Sequence, residues 1–107
     1  MTDELIIEPR QVHDMRQKSV KFLLLDCREP WEYETARIEG ATLIPMRHIP
    51  EKLEDIPKDQ PVVVYCHAGV RSFDTASWLK RQGVNALSMS GGIDRWSIEI
   101  DPSVPRY

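Results

Sequence analysis

The segment Cys66-His67-Ala68-Gly69-Val70-Arg71-Ser72 gathers a thiol, an imidazole, a glycine, a guanidinium and a hydroxyl within seven residues. A cysteine nucleophile acts as its thiolate. Negative charge is favoured where backbone N–H groups and the positive end of a helix dipole converge. The flanking sequence places Cys66 in such a spot. Val62-Val63-Val64-Tyr65 ahead of it reads as a buried strand, and Phe73 to Gln82 behind it reads as a helix. A thiol in the short loop between them sits at the carboxyl end of a strand and the start of a helix. The chemistry indicated is thiolate chemistry, and Arg71, five positions on, points to an anionic substrate.

Each loop residue has a physical reading. Gly69 lets the chain turn tightly, since glycine reaches positive φ without strain. Arg71 either tightens the loop or binds the anionic part of a substrate. The plainer alternative for it is a helix-start salt bridge with no substrate contact. Ser72 is placed to cap the helix or donate a hydrogen bond. His67 adjoins the cysteine, but neighbouring side chains in a tight loop diverge. It reads as a solvent-facing residue, with a direct acid–base or substrate contact as the alternative. The alternative for Cys66 itself is a buried, inert thiol.

The rest of the chain must position this loop. Leu5-Ile6-Ile7 reads as a small first strand, and Pro9 opens a helix to about Lys18 with Val12 and Met15 on one face. Phe22-Leu23-Leu24-Leu25-Asp26 is a continuous apolar run ending in an acid, the pattern of a strand buried on both faces. A short helix from Pro30 to about Ala36 follows, then a strand Ala41–Ile44 stopped by Pro45. Pro50 starts a helical piece, Glu51 to Asp55, with Leu53 and Ile56 facing inward. In the helix after the cysteine loop, Phe73, Ala76 and Leu79 recur at helical spacing, and Gly83 is a natural stop. Ala86–Met89 is the last strand, Gly91-Gly92 a turn, and Ile93 to Trp96 the start of a final helix. Strands alternating with helices predict an α/β fold, a parallel β-sheet flanked by helices on both faces. Ligands bind beyond the carboxyl ends of strands in such sheets, and both Asp26 and Cys66 fall there. Asp26 and Arg28 read as a polar network supporting the loop from below.

Composition limits the partners. A chain of 107 residues, 41% hydrophobic and 29% charged, reads as one ordered domain over residues 1–107. The net charge of −3 gives no nucleic-acid footprint. No apolar stretch reaches the roughly 20 residues that span a membrane. Met1-Thr2-Asp3-Glu4 is acidic and unlike a signal peptide. A cytoplasmic location is expected, with Cys27 and Cys66 as reduced thiols. Their separation of 39 positions is no metal-ligand spacing, and no metal is expected. Cys27 reads as a packing residue, with a resolving thiol for Cys66 as the alternative.

Several of these segments together resemble the rhodanese family of sulfurtransferases. They are Asp26-Cys27-Arg28-Glu29 with Glu32-Tyr33, Ile38-Glu39-Gly40-Ala41 leading to Ile44-Pro45, the strand and loop from Val62 to Ser72, and Gly91-Gly92-Ile93-Asp94-Arg95-Trp96. The match spans roughly residues 5 to 98. The family often has Gly-His-Ile where this chain has Ala36-Arg37-Ile38, and valine or isoleucine where Cys27 stands. The resemblance implies Cys66 as the nucleophile that holds sulfur as a persulfide, cradled by the amides of residues 67 to 72. It implies a small sulfur-containing anion such as thiosulfate, or a persulfide protein, as donor. A thiol, cyanide or a carrier protein would accept the sulfur, and no cofactor is implied. The segment Ile100-Asp101-Pro102 to Pro105-Arg106-Tyr107 resembles the end of rhodanese domains attached to enzymes that adenylate sulfur carriers. It reads as an extended C-terminal tail, 101–107, that either meets such a partner or packs on the domain.

Two other classes compete. Cysteine-dependent phosphatases of the same fold place five residues between cysteine and arginine, whereas here four intervene, so a phosphatase or arsenate reductase fits less well. A non-catalytic binding module is the other alternative. It is disfavoured because cysteine, glycine and arginine are all present.

Overall fold

A computed structural model of the chain describes residues 5–107. The acidic stretch Met1–Glu4 lies outside the described residues. Five strands, β1 (Ile6–Ile7), β2 (Leu23–Asp26), β3 (Thr42–Leu43), β4 (Val62–Tyr65) and β5 (Ala86–Met89), form one sheet in the order β1-β5-β4-β2-β3. Every pairing is parallel. Four helices connect or flank them: α1 (Pro9–Gln17), α2 (Pro30–Thr35), α3 (Val70–Arg81) and α4 (Gly92–Glu99). Among the described residues no helix is long and apolar enough to cross a membrane.

The apolar runs sort their residues onto two faces because successive strand side chains point to opposite sides. Leu24, Val63, Tyr65 and Met89 pack with Val12 of α1 and with Ile93 and Trp96 of α4. Leu25, Val62, Val64, Cys66 and Ala86 pack with Ala76 and Leu79 of α3 and with Ile49 and Ile56. All four β4 side chains are therefore buried, which is why Val62–Tyr65 shows no polar alternation. The predicted two-sided α/β architecture is the one observed.

Three local expectations change. Residues 50–55 form a 3₁₀ helix, preceded by a 3₁₀ turn at 46–48. It is held at its ends by buried Ile49 and Ile56, while Leu53 is only partly buried. The helix after the cysteine starts at Val70, not Phe73, because Gly69 at φ +104° turns the chain straight into its first turn. Val70, Arg71 and Ser72, read as loop, are helical. The buried stripe of α3 is Ser72, Thr75, Ala76 and Leu79, spaced i, i+3, i+4 and i+7. Phe73 lies about 100° round the helix from Ser72 and is 40% exposed.

Candidate active site

The cysteine loop is held by its own backbone. Cys66 directly follows β4, and its carbonyl accepts the Ile93 N–H at 2.9 Å. The His67 carbonyl accepts the Asp94 N–H at 3.1 Å. The first turn of α4 thus grips the loop, and Gly92 makes the approach possible. A β-carbon on Gly92 would lie 2.5 Å from the Cys66 oxygen and 2.4 Å from the His67 oxygen, with φ at +61°. Gly92→Ala is therefore expected to displace the loop. It should slow iodoacetamide alkylation of Cys66, by up to about 100-fold, as misplacing a positioned reacting group by 1 Å can do. Alkylation at the wild-type rate would show that the loop tolerates the contact.

The sulfur sits among donors. Cys66 Sγ accepts the Gly69 N–H at 3.1 Å and the Ser72 N–H at 3.3 Å. The Ser72 hydroxyl lies 3.4 Å from the sulfur and 2.7 Å from the Ser88 hydroxyl of β5. Around Sγ itself the cradle is thus two amides and a hydroxyl relay. The amides that reach the sulfur are those that Gly69 and the first turn of α3 turn inward. A thiol here donates to Ser72; a thiolate accepts from it, with Ser88 taking up the complementary hydrogen bond. Sγ is almost wholly buried, with Cys66 1% exposed.

Arg71 is committed to a protein partner. Its Nη1 and Nη2 donate to Glu32 Oε1 and Oε2 at 2.7 and 2.9 Å, a bidentate pair that ties α3 to α2. Arg71 remains 34% exposed, whereas the Glu32 side chain is 4% exposed. Glu32 also accepts the Glu29 N–H at 2.9 Å and the Tyr107 hydroxyl at 2.8 Å. Burial alone would raise the Glu32 carboxyl, but Arg71, the Glu29 amide and Tyr107 outweigh burial and bring it down to about 2. Of the three readings for Arg71, the contact in the structure is the salt bridge at the start of α3.

Asp26 and Arg28 lie side by side at the end of β2, both wholly buried. Arg28 Nε and Nη2 donate to the two Asp26 oxygens at 2.9 and 2.7 Å. Nη2 also donates to the Ala36 carbonyl at 2.6 Å, and Nη1 to the Tyr107 hydroxyl at 2.8 Å. Tyr65 of β4 donates to Asp26 Oδ2 at 2.9 Å. The strand register sets Asp26 opposite Tyr65, one residue before Cys66. The network therefore joins the ends of β2 and β4 beneath the loop.

Cys27 packs in the same apolar cluster as Cys66. Burial first, and then the neighbouring Cys66 charge, push the Cys27 thiol up to about 12. It keeps its proton at neutral pH, which suits packing and makes it a poor nucleophile. Neither cysteine forms a disulfide. Among the described residues no three His, Cys, Asp or Glu side chains gather in a way that could hold a metal ion.

His67 does not simply face solvent. Its ring stacks on Tyr107, with centroids 4.2 Å apart and planes at 21°. Trp31, 60% exposed on α2, meets the same tyrosine edge-on at 5.9 Å. The segment 101–107 is not wholly extended: the Val104 N–H turns back to the Asp101 carbonyl at 3.0 Å. Val104 is buried, and Arg106 pairs with Asp94 at 2.8 Å. Glu32, Ser88 and Tyr107 are site residues that the sequence reading left without a role. Glu32 carried a signal, lying three residues after Glu29 and two after the helix-opening Pro30. Ser88 and Tyr107 carried none, since only the fold brings them to the loop.

A family model for the rhodanese-like domain matches residues 8–99. The chain belongs to the rhodanese-like family. It is 36% identical over 104 residues to the probable adenylyltransferase/sulfurtransferase MoeZ of Mycobacterium tuberculosis, covering 94% of this chain but only 26% of that protein. It is 41% identical over 76 residues to a sulfurtransferase of Allochromatium vinosum, covering 70% of this chain and 71% of that one. Among solved structures, a rhodanese-like domain protein of Staphylococcus aureus superposes with a TM-score of 0.83 at 26% identity, over 95% and 97% of the two chains. These rhodanese-like relatives include proteins named as sulfurtransferases, and the parallel sheet with flanking helices is their shared fold.

Proposed function

We propose that the chain is a sulfurtransferase in which Cys66 carries sulfane sulfur as a persulfide. The observation that carries this reading is the environment of Cys66 Sγ, which faces two backbone N–H groups and the Ser72 hydroxyl at the positive end of α3. Such a cradle stabilises a thiolate, and the positive end of α3 favours the negative charge of a persulfide built on it. Four residues between Cys66 and Arg71, one fewer than in the phosphatases of this fold, suit a loop around a single extra sulfur better than one around three phosphoryl oxygens, which is why a phosphatase reading ranks below it.

With thiosulfate as donor, the Cys66 thiolate attacks the outer sulfur. A sulfur–sulfur bond forms at Cys66, the bond to the sulfonate sulfur breaks, and the electron pair leaves with sulfite. Cyanide then attacks the outer persulfide sulfur, releasing thiocyanate and restoring the thiolate. A thiol or a carrier protein takes the same sulfur in the same way. The site assignment covers Cys66 as nucleophile, residues 67–72 as its loop and Asp26 with Arg28 as support, all within one domain spanning residues 1–107. A cytoplasmic setting that keeps both thiols reduced belongs to the same reading.

Intact mass after thiosulfate exposure tests it. A gain of about 32 Da, one sulfur atom, removed by cyanide and mapped to the peptide containing Cys66, is the expected result. No gain from thiosulfate, and none from a cysteine-desulfurase donor, would sink the reading in favour of a binding module. The likeness to MoeZ, whose name joins adenylyl transfer to sulfur transfer, supports a sulfur carrier activated by an adenylating enzyme as one acceptor. A Cys66 persulfide that small thiols discharge, but an adenylated carrier never does, would remove that acceptor.

A further inference from the structure

We propose that Tyr107 is a positioning residue of the site, acting on Arg71 through Glu32. This rests on the reading of Cys66 as the reactive thiol. Tyr107 lies beyond residue 99, the last residue in the family match. It is nonetheless the point where four parts of the site meet. Its hydroxyl accepts from Arg28 Nη1 at 2.8 Å and donates to Glu32 Oε2 at 2.8 Å. Its ring stacks on His67, the residue after the nucleophile, and receives the edge of Trp31.

The direction of these hydrogen bonds is determined. A guanidinium can only donate, and the Glu32 carboxylate can only accept. The tyrosine hydroxyl is the group between them able to do both. Burial pushes the Tyr107 phenol up to about 12, so it keeps the proton it donates. Each Glu32 oxygen then holds one Arg71 N–H and one further donor: the Glu29 N–H on Oε1 and Tyr107 on Oε2. Arg71 adjoins Ser72, whose N–H the sulfur accepts, so where Glu32 holds the guanidinium bears on the positive charge near the sulfur. Removing the Tyr107 hydroxyl frees one side of Glu32 and strips Arg28 Nη1 of its acceptor. The carboxylate that aims Arg71 is then anchored from one side only.

A charge-selective pair of alkylating agents reads this directly. Iodoacetate is an anion and iodoacetamide is neutral, so the ratio of their rates at Cys66 reports positive charge held near the sulfur. Tyr107→Phe keeps the ring and loses only the hydroxyl. It is expected to lower the ratio about threefold. Arg71→Gln should lower it at least as far, and adding Tyr107→Phe to Arg71→Gln should change it no more, because both act through one guanidinium. Simple loss of stability would slow or speed both reagents alike and leave the ratio unchanged. Thermal melts of each variant confirm that the folded protein is compared. An unchanged ratio in Tyr107→Phe, or an undiminished further fall in the double variant, would overturn the proposal. The alkylations use no sulfur donor. A wild-type protein that gains no sulfur would therefore refute the sulfurtransferase reading and leave the ratio to judge Tyr107 separately.

Discussion

Cys66→Ser is expected to abolish the gain of sulfur from thiosulfate, by at least about a thousandfold in rate, with the melting temperature within a few degrees of wild type. The geometry explains both halves. Serine is nearly isosteric, and its hydroxyl oxygen can accept the Gly69 and Ser72 N–H groups that the sulfur accepts now. The loop is fixed independently through the Cys66 and His67 carbonyls, which α4 holds whatever the side chain. What serine cannot supply is the nucleophile. An alcohol stays protonated at neutral pH and needs a base in contact with it. The nearest imidazole in sequence, that of His67, is stacked on Tyr107. Intact mass beside a thermal melt checks this. A cyanide-labile sulfur still present in Cys66→Ser would move the chemistry to Cys27 and defeat the assignment.

Arg28→Ala is expected to cost roughly 3–5 kcal/mol, the range for breaking a buried ion pair from one side. Arg28 is wholly buried, and its removal leaves the equally buried Asp26 carboxylate without its two strongest donors. The Tyr65 hydroxyl and the Arg28 backbone N–H remain on that carboxylate, too few to compensate for a full charge. The Ala36 carbonyl and the Tyr107 hydroxyl lose their partner as well. For a chain of this size the melting temperature should fall by about 12–20 °C. Removing both charges is a separate case. Asp26→Leu with Arg28→Leu should recover part of the loss, since two absent charges are cheaper than one stranded charge. If Arg28→Ala melted within 3 °C of wild type, or if the double variant were the worse of the two, the pair would not be the pin beneath the loop.

The elements were legible where burial dictates composition. Val62–Tyr65 and residues 23–25 show no polar alternation because both faces of a central parallel strand are covered. That pattern alone placed Asp26 and Cys66 at strand ends. Cys66, Gly69 and Arg71 were readable as a unit because a turn into a helix needs its glycine at a set distance from the strand. The start of α3 was missed by one turn because local propensity does not show where a left-handed glycine will throw the chain. Phe73 shares helical spacing with Ala76 and Leu79 yet is exposed, because apolar spacing is ambiguous by one step around a helix. The buried stripe is chosen by what the sheet presents.

The sequence by itself determined the parallel α/β architecture, the nucleophile candidate and the short loop that holds it, since each follows from residues close in the chain. Only the tertiary structure decided what those residues do to one another. Glu32, 39 positions before Arg71, claims its guanidinium. Ser88, 16 positions after Ser72, completes the hydroxyl relay to the sulfur. Tyr107, 79 positions after Arg28, closes the network over both. Each of these is a hydrogen bond between groups that only the crossovers of the sheet bring within 3 Å, and no spacing along the chain encodes such a meeting.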